Sequence, residues 1–225
     1  MPVNEPVAVL FSGGLDSAVL LAMAAGRGPA QPIYVRAGLA WEAAELAIAG
    51  QLFRAGARRG RVLPLVTLGV DMRDVYPASH WAIRGEAPGF DTPDEDVYID
   101  GRNIVLLSKA SVFMARAGIT RVLMGTLAGN PFPDASRAFF DAMQSALSTG
   151  LGAPIEIEAP LSSMHKEDVI RRGVELGVPF EFTLSCMQPV GGLHCGRCSK
   201  CRERRDGFIG AEVVDRTPYA VVPSR

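Results

Sequence analysis

The chain has 225 residues, 48% of them hydrophobic, with 23 lysines and arginines against 24 aspartates and glutamates. That length and apolar share suffice for one sizeable core, most simply an α/β domain with a small appendage, and the formal net charge of −1 offers no global pull toward nucleic acid or a membrane surface. No apolar run reaches 18 residues and the N-terminus lacks a basic stretch followed by an apolar one, so a soluble, cytoplasmic protein with no direct nucleic-acid binding is expected.

In chain order, VAVLF (7–11) reads as a buried strand and residues 16–26 as the helix after it. PIYVRA (32–37) is the second strand, and an Ala- and Glu-rich helix is expected from Glu42 to Arg59. VLPLVTL (62–68) is the third strand; residues 69–100, rich in proline and glycine from Gly85 to Pro93, form an irregular excursion. A helix follows from Arg102 to Ala117, with Asp100 as its cap and Gly118 as its stop. RVLMGT (121–126) is the fourth strand, LAGNPFPDAS a loop, and 136–148 a helix. PIEIEAPL (154–161) is the fifth strand, with a helix over 165–176 closed by Gly177. This alternation predicts an α/β fold with a parallel, doubly wound five-stranded sheet and helices on both faces. We expect residues 1–182 to form that domain, 183–211 a cysteine module with a short basic helix, and 212–225 a C-terminal extension. Two basic clusters, Arg54, Arg58, Arg59 and Arg61, then Arg197, Lys200, Arg202, Arg204 and Arg205, read as solvated helix faces.

The loop after the first strand is SGGLDS, residues 12–17. In a doubly wound sheet the first strand–helix turn is the usual phosphate site. Gly13 and Gly14 permit unusual dihedrals and close phosphate approach, and the helix N-terminus offers amides to anionic oxygens. Ser12 and Ser17 add hydroxyls, Leu15 opens the helix, and Asp16 is a candidate Mg²⁺ ligand, because a carboxylate beside phosphate needs a cation between them. No G-x-x-x-x-G-K-[ST] run is present, which disfavours γ-phosphate transfer of the Walker type. SGGLDS resembles the signature loop of the PP-loop ATP pyrophosphatases. The resemblance implies the adenine nucleotide alpha-hydrolase (HUP-like) fold, ATP as cofactor, and cleavage between its α and β phosphates to give an adenylated intermediate.

All four cysteines fall in C-x8-C-x2-C-x2-C, at Cys186, Cys195, Cys198 and Cys201. Four thiols that close together in a cytosolic chain point to a metal, and a tetrahedral Cys₄ zinc site is the expectation. The rival is an iron–sulfur cluster, but ferredoxin-type runs continue C-x3-C-P and no further cysteine follows here. With four thiolates the site is closed, hence structural, and His194 is expected nearby as a surface or supporting residue.

Loop and cysteines together resemble the 7-cyano-7-deazaguanine synthase family of the queuosine pathway. GRN (101–103), GT after the fourth strand (Gly125 and Thr126), PD (133–134), HKEDVIRRGVELGVPFEFTLSC and CGRCSKCRERRDGF fall in that family's order. What this implies is an ATP-dependent ligase acting on a small-molecule carboxylate and ammonia, taking 7-carboxy-7-deazaguanine through an amide to the nitrile; a homodimer is compatible. It implies Asp16 and Lys166 as catalytic residues, with Arg102, Asn103 and Gly125 joining residues 12–17 around the nucleotide. Asp134 and Phe132 are then expected at the substrate, as acceptor for a guanine-like edge and as stacking partner. The loop AGLAWEAAE departs from the family's Gly-Gln-Arg-His-like stretch, keeping Gly38 and Glu45. Alternatives are a PP-loop paralogue adenylating another carboxylate or a tRNA base, and a non-catalytic ATP-sensing zinc protein.

Overall fold

The structure is a computed structural model that describes residues 5–55 and 61–223. Its strands are β1 (Val7–Leu10), β2 (Ala30–Arg36), β3 (Val66–Gly69), β4 (Arg121–Leu123) and β5 (Glu156–Glu158). They form one sheet in the order β3-β2-β1-β4-β5, with every pairing parallel. Since β1 lies between β2 and β4, the chain reverses its direction of winding there, and the crevice beyond the carboxyl ends of β1 and β4 is the switch point where such sheets bind ligands.

Alternation along β1 builds the two faces. Val9 points to one side, where it meets α1 (Leu15–Arg27), α2 (Glu42–Arg54), α6 (Lys166–Glu175) and α7 (Ser199–Ala211) through Leu20, Leu52, Ile170 and Phe208. Ala8 points to the other, among Leu107, Met114 and Phe140 of α4 (Arg102–Ala117) and α5 (Arg137–Leu151). The excursion holds a short helix α3 (Trp81–Arg84) and makes its own small core, in which Trp41 and Trp81 stack with ring centroids 5.6 Å apart. Among the described residues no helix is long and apolar enough to cross a membrane.

Several expected bounds and caps need correction, among them the fourth strand, which ends at Leu123 rather than Thr126. The helix predicted to Arg59 is described only to Arg54, with Ala55 as its C-cap; Arg58 and Arg59 lie outside the described residues. The third strand begins at Val66, because Pro64 cannot donate to the ladder, and Val62 reaches β2 only through an isolated bridge to Ala30. The fifth strand is confined to Glu156–Glu158. Asp100 does not cap α4; Gly101 is the N-cap residue at φ 70°, and the capping carboxylate comes from Asp134, which accepts the Asn103 N–H at 3.0 Å.

The cysteine segment is woven into three other parts of the chain. Leu184 N–H donates to Gly13 C=O at 2.9 Å, and Ser199 N–H to Pro88 C=O at 3.1 Å. His194 N–H donates to Pro218 C=O and Ala220 N–H to His194 C=O. The second basic cluster is not a solvated face. Arg202 donates to Phe90 C=O at 2.7 Å, the Arg205 guanidinium lies over the Phe90 ring, and Arg204 is 1% exposed. Arg204 is satisfied by Thr217, Thr183 and Ser185 hydroxyls and by Phe180 C=O, at 2.6–3.1 Å. Only Arg197 of that cluster is exposed.

Candidate functional site

The SGGLDS loop sits at the switch point, held by its own side chains. Gly14 N–H donates to Ser12 Oγ at 3.2 Å, and Ser17 Oγ donates to Gly14 C=O at 3.0 Å. Only Gly13 uses the left-handed region, at φ 79°, where an added Cβ would also lie 3.1 Å from Glu45 C=O. Gly14 has φ −73° and ψ 164°, ordinary extended backbone, so its need for glycine comes from crowding against Ser12 Oγ rather than from dihedrals. The first intrahelical bond of α1 runs from Ala18 N–H to Gly14 C=O, so the amides ahead of it face the crevice without helical acceptors. Together with the helix dipole they form an anion cradle.

Two cavities meet at this loop. The larger, about 240 Å³, has an apolar floor that includes Ile33, Val35, Leu106 and Met124, and a rim that includes Arg102, Asn103, Phe132 and Asp134. Thr126, directly after Gly125, lines it with a buried hydroxyl that has no hydrogen-bond partner among the described residues. The smaller, about 150 Å³, is walled by Lys166, Lys200, Glu203 and Arg204 beside Ser12, Gly14 and Asp16. Ser12, Gly14, Asp16, Glu45 and Arg102 line both.

Lys166 is no surface lysine. Its side chain is 15% exposed, and Nζ donates to both oxygens of Asp16 at 2.8 and 2.7 Å while pairing with Glu203 at 2.7 Å. Burial alone would lower its pKa, but the two carboxylates outweigh burial and hold the ammonium protonated well above the usual lysine range. Glu203 also pairs with Lys200 at 2.6 Å; against burial, the two lysines pull its carboxyl down to about 2. The cysteine module thus contributes three charged side chains, Lys200, Glu203 and Arg204, to the wall beside the phosphate loop.

Asp134 and Asn103 are tied to each other. Beyond the cap, Asn103 Nδ2 donates to Asp134 C=O at 3.0 Å, and Asp134 is buried, which raises its pKa despite Asn103 and Arg102. Phe132 packs on Tyr98, 5.2 Å between centroids, and both rings line the larger cavity.

Two acidic residues at the start of α2 escaped sequence reasoning as site groups. Glu42 and Glu45 are 5% and 7% exposed although they open a helix, where acids usually sit in solvent. Glu42 accepts the Ala37 N–H and Glu45 Oε2 accepts the Tyr34 hydroxyl at 2.5 Å. Burial pushes the Glu45 carboxyl up to about 7, against Arg102, Tyr34 and Trp41, which favour its anion.

The four cysteines are buried and unbridged by disulfides, with all Sγ atoms within 4.8 Å of one another. Separations of 3.9, 3.8 and 3.6 Å match the edge of about 3.8 Å expected of a tetrahedron with metal–sulfur bonds near 2.3 Å. Backbone N–H groups of Gln188, Cys195, Gly196 and Arg197 point at the sulfurs at 3.3–3.4 Å, as thiolates require. The set therefore fits a single metal ion, and a multi-iron cluster would spread the thiolates further apart. Gly196, at φ 76°, carries the turn; a Cβ there would lie 1.7 Å from Val221 C=O. His194 is not a surface residue: it is 2% exposed, and Nε2 accepts the Ser185 N–H at 3.1 Å. Burial lowers its pKa to about 3, so it stays neutral.

A parallel five-stranded sheet with the SGGLDS cradle on its first strand makes this a nucleotide-binding protein of the PP-loop α/β class. A solved structure described as a 4-thiouridine synthetase–RNA complex with bound ATP shares the fold at a TM-score of 0.50 and 15% identity, over 92% of this chain and 52% of that one. Within the class the sequence is specific: residues 6–212 match the family described as queuosine biosynthesis protein QueC, and the chain belongs to that family. Curated relatives named 7-cyano-7-deazaguanine synthase include one from Anaeromyxobacter dehalogenans (strain 2CP-C), 36% identical over 94% of both chains. Another, from Azoarcus sp. (strain BH72), is 37% identical over 94% of this chain and 95% of that one.

Proposed function

We propose that the protein is an ATP-dependent carbon–nitrogen ligase that converts 7-carboxy-7-deazaguanine and ammonia into 7-cyano-7-deazaguanine, releasing AMP and pyrophosphate. The observation that carries this reading is the SGGLDS cradle at the sheet's switch point in a chain matching the QueC family over residues 6–212. A carboxylate is a poor electrophile, and transfer of AMP to it supplies a leaving group that ammonia can displace. The resulting amide oxygen can be adenylated in turn, after which loss of AMP and two protons leaves the nitrile.

The amides at the start of α1, with Ser12, Gly13, Gly14, Leu15 and Ser17, hold the phosphates; Arg102, Asn103 and Gly125 border the nucleotide. Lys166 and Lys200 make the smaller cavity the place for the departing pyrophosphate, whose charge Lys166 offsets once phosphate competes with Asp16 and Glu203 for it. Asp16 would hold Mg²⁺, which supplies charge neutralisation between the carboxylate and the phosphates. Phe132 offers a ring face to the deazapurine, and Asp134 keeps acceptor capacity beyond that taken by Asn103. Cys186, Cys195, Cys198 and Cys201 would hold Zn²⁺ as a structural ion, since four thiolates leave no open position.

The test is incubation with ATP, Mg²⁺, ammonium and 7-carboxy-7-deazaguanine, followed by mass spectrometry. Amide and then nitrile should appear together with AMP and pyrophosphate. ADP as the nucleotide product would refute the reading.

A further inference from the structure

We infer that the Glu45 carboxylate accepts the proton that the nitrogen nucleophile must lose, and so acts directly in carbon–nitrogen bond formation. This rests on the ligase reading above. The argument begins with position. Pyrophosphate departs into the smaller cavity and the acceptor enters from the larger, so the α-phosphate and the carbon joined to it belong where the two meet. Five residues line both cavities, and three of them belong to the phosphate loop. The other two are Arg102, a cation that cannot take a proton, and Glu45.

The remaining acids around the site are committed. Asp16 and Glu203 are ion-paired with Lys166, and Asp134 caps α4. Glu42 accepts the Ala37 N–H and lies 3.9 Å from Arg36. Glu45 forms no ion pair within 4.0 Å among the described residues and caps no helix; its partners, the Tyr34 hydroxyl and Trp41, are neutral. The groups that face it are Tyr34 from β2, Trp41 and Glu42 from α2, and Arg102 from α4, with Asp16 and Lys166 across the smaller cavity. Burial leaves its carboxyl near 7, where an acceptor works best at neutral pH.

The step balances as follows. The ammonia lone pair forms a C–N bond to the acyl-adenylate carbon, and the carbonyl π pair moves to oxygen. An N–H proton passes to Glu45, the oxygen pair re-forms C=O, and the C–O bond to phosphate breaks with its electrons on AMP. In the second round the O-adenylated amide loses an N–H proton to the same carboxylate. That N–H pair becomes the third C≡N bond as AMP departs with the C–O electrons, the nitrogen's remaining proton passes to water, and Glu45 returns its own proton to water between rounds.

The test uses the full chain with its metal. ATP–pyrophosphate exchange with the acid and no ammonium reads adenylation; ammonium-dependent amide formation reads the whole sequence. Glu45→Gln should slow amide formation by about 10²- to 10⁴-fold, the usual contribution of a positioned base, while exchange falls by less than about tenfold. Tyr34→Phe keeps the carboxylate but removes a hydrogen bond that favours its anion, so the acid limb of the turnover profile should move to higher pH. Amide formation by Glu45→Gln within about threefold of wild type, far below a base's usual share, would overturn the inference. So would equal loss of exchange and turnover, or an unmoved acid limb in Tyr34→Phe. If Glu45→Gln does not fold, the Tyr34→Phe profile decides. Absence of exchange in the wild-type protein would instead sink the ligase reading and the inference with it.

Discussion

Gly207 on α7 is where packing and chemistry meet. A Cβ built there would lie 2.4 Å from Lys166 Cγ, 3.0 Å from Ile170 Cδ1 and 3.3 Å from Lys166 Cβ. Gly207→Ala sets two effects against each other. Alanine in a helix interior gains about 1 kcal/mol over glycine. Forcing a methyl into a filled contact costs about 1–3 kcal/mol. Packing should win, for a net loss of about 1 kcal/mol in urea unfolding at pH 7. The functional effect should be larger, because Lys166 cannot shift at Cγ without loosening its bonds to Asp16 and Glu203. A displacement near 1 Å can cost about 10²-fold in rate, so exchange of labelled pyrophosphate into ATP should fall at least about tenfold. Gly210→Ala is the control: its Cβ meets nothing nearer than Glu167 Cβ at 3.6 Å, so stability should rise by a few tenths of a kcal/mol with exchange unchanged. A Gly207→Ala protein as stable and as active as wild type would refute the claim that α6 and α7 position Lys166 by contact.

Cys198→Ser should drop metal content below one ion per chain and expose the 85–94 segment to protease, since that segment is pinned to α7 through Pro88 and Phe90; structural zinc sites are worth on the order of 10 kcal/mol, so a variant that keeps its full melting temperature would count against a structural metal. Glu203, at about 2 against an ordinary 4.5, adds stability that is complete above about pH 4.5 and is lost as pH falls toward 2. The ceiling on that contribution is about 3 kcal/mol, so the stability gap between wild type and Glu203→Gln should shrink from pH 7 to pH 3, and a gap that widens would reverse the assigned sign.

The sheet and its flanking helices were legible because buried parallel strands and amphipathic helices write their periods into the chain. The span Arg102–Ala117 was read with Gly118 as its stop, and the cysteine spacing pointed to one tetrahedral site. What stayed hidden depends on neighbours distant in sequence. Arg204 and Glu45 look like surface charges, and nothing local says that Thr183, Ser185 and Thr217 enclose one or that Tyr34 caps the other. Asp100 looked like the cap of α4 because capping was sought in the preceding residues, whereas Asp134 reaches it from 31 residues downstream. The loop itself was legible in the sequence; its partners were not.

The ties of the phosphate loop also set an order in time. Gly13 C=O waits for the amide of Leu184, and Asp16 is met by Lys166, 150 positions later. Glu203, the second partner of that lysine, is nearer still to the end of the chain. A polypeptide leaving the ribosome therefore makes its SGGLDS loop long before the residues that complete it. Such sequence-distant closure is slow compared with local helix formation, so a nascent chain has a folded-looking first strand and helix well before it can hold a nucleotide in working order.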